Sequence, residues 1–168
     1  MISGGYVDLR DSEAGRPEFV ELWSPQTGES CNLPPLPSLT YGHSQDGDWQ
    51  CGGWDGDWDS QARKTCHVWA GGRWESKAIL LHDRFGHVSW NTQSGLVLLG
   101  GEGAKSKRTA EIIKDGVSEL AFPLRYKVVL SCAIRDGVKI VYSTQKAAIK
   151  SLNIRVTTGM INVFEFFL

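Results

Sequence analysis

Short apolar segments alternate with turns rich in glycine, proline and aspartate along most of this chain. Typical segments are Val-Glu-Leu-Trp at 20–23, His-Val-Trp at 67–69 and Glu-Ile-Ile at 111–113. Their valine, isoleucine, leucine and tryptophan content favours strands. No stretch keeps the apolar periodicity of a helix for three turns. The pattern therefore predicts an all-β chain built from short strands.

Double-glycine pairs recur at a fixed interval. Gly4, Gly52 and Gly100 are spaced 48 residues apart, and each is followed by a second glycine, Gly5, Gly53 or Gly101. A regular interval of this size indicates one structural unit copied in series. Apolar residues lead into each pair, so each pair is predicted to end a strand. Glycine there would allow close backbone approach near the axis of the assembly.

Further markers follow the glycine pairs in a constant order. Gly-His occurs at 42–43 and again 44 residues later at 86–87. We predict that His43 and His87 are buried strand residues hydrogen-bonded to backbone rather than metal ligands. The sequences Gly71-Gly72 and Asp115-Gly116 each predict a tight hairpin, because glycine accepts positive φ. Each copy then contains about four antiparallel strands per ~45 residues, which is typical of a β-propeller blade.

On these markers the chain resembles the kelch-repeat β-propeller family. The resemblance rests on the glycine pairs, Leu-Trp-Ser-Pro at 22–25, Leu-Pro-Pro-Leu-Pro at 33–37, Trp74 and Arg-Phe-Gly-His at 84–87. It departs from the family pattern where Cys31 replaces a tryptophan and where the third copy lacks both the tryptophan and the Gly-His. It implies a kelch-type propeller fragment of about three blades, incomplete at both ends.

The repeat copies cover residues 1–142 and leave a tail. Their bounds are about 1–41, 42–85 and 86–130, with the start of another at 131–142. Residues 143–168 carry none of the markers and are predicted to be a divergent C-terminal tail. Its apolar end, residues 160–168, is alternatively an added strand. An open stack of blades leaves unpaired edges, so self-association through those edges is expected.

Composition and motifs exclude several functions. The net charge of −1 provides no long-range field for nucleic acid, and no apolar run is long enough to span a bilayer. The start of the chain lacks the basic and apolar regions of a signal peptide. No nucleophile elbow, phosphate-binding loop or zinc-binding helix occurs. We therefore predict no catalytic residues, no metal site and no cofactor.

Cys51 and Cys66 are predicted to lie on neighbouring strands of the second copy. A cross-strand disulfide is then geometrically plausible, and it would place the parent protein in an oxidising, secretory compartment. The alternative is that both are small buried side chains with free thiols.

Recognition residues are expected in the long loops that follow the glycine pairs and in the loops between copies. These loops would lie on one face of the propeller. They combine acidic and aromatic residues with basic ones, which suits a charged protein or peptide segment. The predicted partner-binding residues are Trp54, Asp55, Asp57, Trp58, Asp59, Arg84, Lys105, Lys107 and Arg108.

Together these features predict a non-catalytic protein–protein interaction module. Two alternatives stay open at this stage. One is a fragment of an extracellular propeller enzyme similar to galactose oxidase, although the four scattered tyrosines do not assemble its copper site. The other is a non-functional truncated gene product.

Overall fold

The computed structural model describes residues 2–3, 20–24, 26–38, 40–55, 61–124, 127, 133–136, 139–143, 149–157 and 160–167. Within these residues the secondary structure is almost wholly β, which confirms the predicted fold class. The strands form antiparallel sheets in which neighbours in sequence are neighbours in space. The helical structure in this part is a single 3₁₀ turn at Ser106–Arg108. None of its helical segments is long and apolar enough to cross a membrane.

The first three sheets follow the chain in order. The first sheet contains β1 (Ile2–Ser3), β2 (Val20–Trp23) and β3 (Ser30–Leu33). The second contains β4 (Ser44–Asp46), β5 (Trp49–Cys51), β6 (Thr65–Ala70) and β7 (Arg73–Ile79). The third contains β8 (Val88–Thr92), β9 (Gly95–Leu99), β10 (Thr109–Lys114) and β11 (Val117–Pro123).

The fourth sheet includes most of the predicted tail. Its strands are β12 (Ala133–Asp136), β13 (Lys139–Ser143), β14 (Ile149–Thr157) and β15 (Met160–Phe167). β14 pairs with β13 and with β15, so the tail adds two strands to the sheet that residues 133–143 begin. The apolar end of the tail, Met160–Phe167, is thus a strand of this sheet.

The second and third sheets repeat one another in detail. A β-bulge interrupts the pairing of β6 with β7 between Cys66 and His67, and another interrupts β10 with β11 between Ala110 and Glu111. The two bulges lie 44 residues apart, the same spacing as the Gly-His pairs. Since a bulge redirects the strand that carries it, the two copies share their local geometry as well as their strand order.

Tight turns close one end of these two sheets. The predicted hairpins are confirmed: Gly71 and Gly72 have φ of 58° and 83°, and Asp115 and Gly116 have φ of 50° and 81°. Two-residue turns also join β4 to β5 and β8 to β9. At 71–72 and 115–116, positive φ at both central residues matches the twist of the flanking strands. The long connections all lie at the opposite end.

The Gly-His pairs directly precede strands, which corrects the expectation that His43 and His87 are themselves strand residues. β4 starts directly after His43, and β8 starts directly after His87. The positive φ of Gly42 and Gly86, 65° and 60°, explains the difference. A left-handed residue turns the chain sharply, so it precedes the extended segment instead of closing it.

The second and third sheets pack side by side, β4 along β8 and β7 along β11. The backbone N–H of Asn91 donates across this junction to the carboxylate of Asp46. A core cluster fills the space, with Trp49 packed against it; its buried members are Cys51, Cys66, Ala78, Leu80, Leu96, Leu98 and Ile113. Side-by-side packing of four-stranded sheets through like-placed strands is the arrangement of propeller blades.

Apolar side chains are also exposed on the outermost strands. Ile79 on β7 is 67% exposed, and Val117 and Leu120 on β11 are 59% and 58% exposed. Self-association through the blade edges stays a prediction. These exposed apolar side chains are the surface through which two copies would contact each other.

Candidate functional site

The long-loop face is the end of the second and third sheets opposite the two-residue turns. It comprises residues 52–64, 80–87 and 100–108, of which 56–60 lie outside the described part. The predicted residues Asp57, Trp58 and Asp59 fall in that gap. Gly4 and Gly5 also lie outside the described residues.

Paired backbone hydrogen bonds hold these loops together in both copies. The N–H of Tyr41 donates to the carbonyl of Trp54 at 2.8 Å, and the N–H of Trp54 donates back at 2.9 Å. Phe85 and Glu102 exchange the same two bonds at 3.0 and 2.7 Å. Each bridge ties a loop between sheets to a loop that follows a glycine pair. The loops are therefore anchored on both sides at fixed positions.

An aromatic cluster lies at the first of these bridges. The rings of Tyr41 and Trp54 meet edge to face with centroids 5.1 Å apart. Trp54 and Phe85 are stacked with centroids 5.6 Å apart. All three side chains are half-buried. Aromatic pairs in these geometries contribute about 0.5–1.5 kcal/mol beyond area burial, so the cluster stiffens the face while leaving part of it accessible.

A fully buried ion pair lies behind the loops. The guanidinium Nη2 of Arg84 donates to Oε1 of Glu111, and neither side chain is exposed to solvent. The same guanidinium donates through Nη1 to the carbonyl of Gly100 at 2.6 Å. The other carboxylate oxygen of Glu111 accepts from the hydroxyl of Ser118 at 2.7 Å. Burying both charges is tolerable because each is paired and hydrogen-bonded.

Glu111 also fixes the loop that enters the third sheet. Its carboxylate accepts the backbone N–H of Leu81 at 2.8 Å and that of His82 at 3.1 Å. The buried side chain of Glu111 on β10 therefore holds the backbone at Leu81 and His82 and the guanidinium of Arg84. The sequence analysis did not single out Glu111. The signal that could have found it is a charged residue at a position flanked by apolar ones within a strand.

The burial of Arg84 corrects its predicted role. It was expected on the exposed face with the other recognition residues, but its side chain is 0% exposed. It turns inward because Glu111 and the carbonyl of Gly100 supply partners for its charge. Arg84 is a residue of the junction between the sheets and is not available to a partner.

The equivalent positions of the second sheet hold a neutral network. Gln50 Oε1 lies 3.2 Å from Nδ1 of His67, the residue that corresponds to Glu111. Gln50 Nε2 donates to the carbonyl of Gly52 at 3.3 Å and to Oγ1 of Thr40 at 3.4 Å. Gly52 in the second sheet corresponds to Gly100 in the third. The Gln50 amide therefore bonds the carbonyl of Gly52 in the way that Arg84 bonds the carbonyl of Gly100. An ion pair in one copy is replaced by uncharged partners in the other.

His87 connects the two sheets. Its Nε2 lies 2.7 Å from the hydroxyl of Ser44 on β4, so its partner is a side chain where a backbone group was expected. Burial, together with the charge of Arg84 and the neighbouring His43, holds its pKa well below the ordinary value. The ring is therefore neutral at physiological pH. His43 itself is half-buried, with Nδ1 3.3 Å from the carbonyl oxygen of Thr40.

The glycine pairs lie against this junction. A Cβ on Gly52 would stand 2.4 Å from the carbonyl oxygen of Arg84 and 2.8 Å from Cε1 of His87. One on Gly101 would stand 2.8 Å from Cβ of His87. Gly53 is equally confined by Thr40. A larger residue at Gly52 would have to displace the backbone of Arg84, and one at Gly53 or Gly101 would collide with the side chain of Thr40 or His87.

Charged side chains line the accessible part of the face. Asp55 pairs with Arg63 at 2.7 Å, and Glu102 pairs with Lys107, with both side chains 37% exposed. Lys105 and Arg108 are exposed. Of the predicted set, the structure places Trp54 and Asp55 at one side and Lys105, Lys107 and Arg108 at the other. Arg63, in the same loop as Asp55, was not among the predicted residues.

Trp74 lies away from this face, on β7. Its ring meets that of Trp69 edge to face with centroids 5.3 Å apart. Its indole Nε1 donates to the carbonyl oxygen of Pro34 at 3.1 Å. The tryptophan thus links the second sheet to the segment that follows the first.

The predicted cysteine pair forms a disulfide. Cys51 and Cys66 are opposite one another in the pairing of β5 with β6, with Cα atoms 4.1 Å apart. Cys31 on β3 is a free, exposed thiol. Across the residues that the structure describes, no group of three or more histidine, cysteine, aspartate or glutamate side chains could hold a metal ion.

Comparison with known proteins supports the architecture. No protein-family model matches the chain, and no curated protein matches it. The solved structure of YjhT is similar, with a TM-score of 0.69 and 14% identity over 88% of this chain and 52% of that one. This chain therefore spans about half the length of YjhT. At this identity the likeness concerns the fold alone, and that fold is a multi-sheet, all-β one.

Proposed function

We propose that this chain is a non-catalytic, kelch-type interaction module that holds a protein or peptide segment against its long-loop face. The observation that carries the proposal is the asymmetry between the two ends of the sheets. Two-residue turns close one end, whereas the other carries long loops pinned by paired backbone bonds. A loop whose backbone is already anchored loses little backbone entropy when it binds a partner, which favours recognition.

The chemistry of the face favours a segment of mixed charge with an acidic portion. Lys105 and Arg108 are exposed, so their charges are available to carboxylates. Trp54 lies at the other side of the face as a half-buried aromatic anchor. Exposed charges at the edge of an interface contribute mainly to the association rate and to the alignment of the partner. A partly buried aromatic side chain contributes mainly to affinity.

Charge reversal at the cationic side tests the proposal. The double variant Lys105→Glu and Arg108→Glu would be compared with Lys77→Glu, which reverses one exposed charge on the outer strand β7. The probe is an array of peptides of mixed charge, read at low and at physiological salt. We expect the double variant to weaken binding about tenfold or more, with most of the loss in association rate at low salt.

The control separates recognition from general electrostatics. Lys77→Glu should leave the same peptides bound, and all three proteins should melt at similar temperatures. If the double variant and the native chain bind the peptides equally well, the long-loop face is not the binding surface. A loss in the double variant and in Lys77→Glu alike would indicate non-specific charge attraction.

A further inference from the structure

Three of the six prolines of the chain fall within four residues, Pro-Pro-Leu-Pro at 34–37. Proline fixes φ near −65° and has no backbone N–H, so such a run favours the extended polyproline II conformation. The surrounding sequence is free of cations, since no lysine or arginine occurs between residues 17 and 62. The segment is therefore apolar and uncharged, and its sequence favours an extended backbone, which the structure bends at Pro37 and Ser38.

The structure presents this segment at the surface. It follows β3 directly and belongs to no strand, and Pro34, Pro35 and Pro37 are all exposed. The described part of the chain contains no cis peptide bond. Leu33 and Leu36 are half-buried. The prolines thus remain accessible while the leucines face the protein more closely.

One hydrogen bond holds the segment in place. The indole Nε1 of Trp74 donates to the carbonyl of Pro34 at 3.1 Å, and this joins the run to the outer strand of the next sheet. The carbonyls of Pro35 and Pro37 lie beyond that contact on exposed residues. A partner would meet a segment that is already anchored, so little conformational entropy is lost on binding.

We propose that residues 34–37 are a docking segment for a partner domain whose groove is lined by aromatic side chains, of the WW type. Such grooves hold proline rings between aromatic faces and donate hydrogen bonds to the ligand's carbonyls. The absence of lysine and arginine from the flanking sequence, residues 17–62, favours a groove without an acidic pocket over one that requires a basic flank in the ligand sequence. The chain acts here as the ligand, whereas on the long-loop face it acts as the receptor.

The test measures binding of an isolated WW domain to the full chain by titration calorimetry. The variants are Pro35→Ala and Pro37→Ala, with Pro123→Ala as the matched control because it removes an exposed proline at the end of β11. We expect the two docking variants to weaken binding about tenfold or more and the control to bind as the native chain does. Thermal melts verify that all variants fold.

Each outcome decides the proposal. No binding by the folded native chain overturns it, as does equal binding by native chain and Pro35→Ala. Tighter binding to an SH3 domain than to the WW domain overturns the assignment of the groove. The double variant Lys105→Glu and Arg108→Glu shares no residue with the segment and should bind the WW domain normally, so failure of the long-loop proposal and failure of this one are distinguishable.

Discussion

The guanidinium of Arg84 and the carboxylate of Glu111 meet between the second and third sheets, and no part of either side chain is exposed to solvent. Arg84 comes from the loop that enters the third sheet, and Glu111 comes from its third strand. The pair also engages the backbone of Leu81, His82 and Gly100. The ion pair thus holds the connecting loop against the sheet that follows it, together with the paired backbone bonds of Phe85 and Glu102.

Removing one member of this pair should be strongly destabilising. Arg84→Met leaves the Glu111 carboxylate buried without its cation, and breaking a buried pair in this way costs about 3–5 kcal/mol. Urea denaturation followed by intrinsic tryptophan fluorescence measures the free energy of unfolding. The matched control is Arg73→Met, because Arg73 pairs with Glu75 at the surface with side chains 78% and 39% exposed.

The control should lose less than about 1 kcal/mol, as is usual for exposed pairs. If the two variants lose the same amount, the buried pair does not organise the junction.

Stability should fall as the solution becomes acidic, because His87 and His67 are buried. Burial lowers the pKa of both below 6.5, and more so for His87, where the charge of Arg84 adds to the effect. The unfolded chain therefore takes up protons first as the pH drops. The free energy of unfolding should be highest above the pKa that histidine has in the unfolded chain. It should decline as the pH falls below that value toward about pH 5.

Substituting each histidine shows how much of the loss of stability at acidic pH that histidine causes. Unfolding of the native chain, His87→Gln and His67→Gln would be compared at about pH 7.5 and pH 5. His87→Gln should flatten the pH dependence most, since burial alone lowers the pKa of His67 to a smaller extent. A slope that survives in both variants would have to arise from other groups.

The disulfide should contribute substantially to stability. Cys51 and Cys66 close a segment with a sequence separation of 15, for which the loss of unfolded-state entropy corresponds to about 3 kcal/mol. The double variant Cys51→Ala and Cys66→Ala should unfold at correspondingly lower urea concentration than the oxidised native chain. Cys31→Ala alters an exposed thiol and serves as the control.

Intact mass under non-reducing conditions verifies the bond directly. Reduction should add two mass units and lower the melting temperature of the native chain while leaving the double variant unchanged. An identical melt for oxidised and reduced native chain would contradict a stabilising role.

Gly52 should tolerate no side chain, in contrast to a glycine in an open turn. Gly52→Ala places a Cβ 2.4 Å from the carbonyl oxygen of Arg84, whereas Gly28→Ala meets nothing within 4 Å. Both have positive φ, 63° and 73°, so each loses about 1–2 kcal/mol from backbone strain. Gly52→Ala should lose an additional ~1–3 kcal/mol from overpacking. Equal destabilisation would mean that the backbone at the junction can move aside.

Much of the fold follows from local patterns. The glycine pairs and the hairpin dipeptides at 71–72 and 115–116 predict strand ends because glycine and aspartate accept positive φ there. Cys51 and Cys66 were placed on neighbouring strands by the same reasoning, and the bond is present. These features depend on a few adjacent residues, so they are visible in the sequence.

The candidate site was only partly predictable. Arg84 has the sequence context of an exposed loop residue, and only the position of Glu111, 27 residues further along, explains its burial. The replacement of that ion pair by Gln50 and His67 in the preceding copy is equally hidden. Both involve side chains brought together by packing between strands, which local sequence does not encode.

The sequence by itself determined the strand-and-turn pattern, the repeat interval and the placement of Cys51 and Cys66 on neighbouring strands, because backbone preferences and short-range spacing decide them. The tertiary structure alone decided which charges face solvent and which are buried between the blades. The physical reason is that desolvating a charge is tolerable only where a distant residue supplies its counter-charge, and that distance is a property of the folded chain.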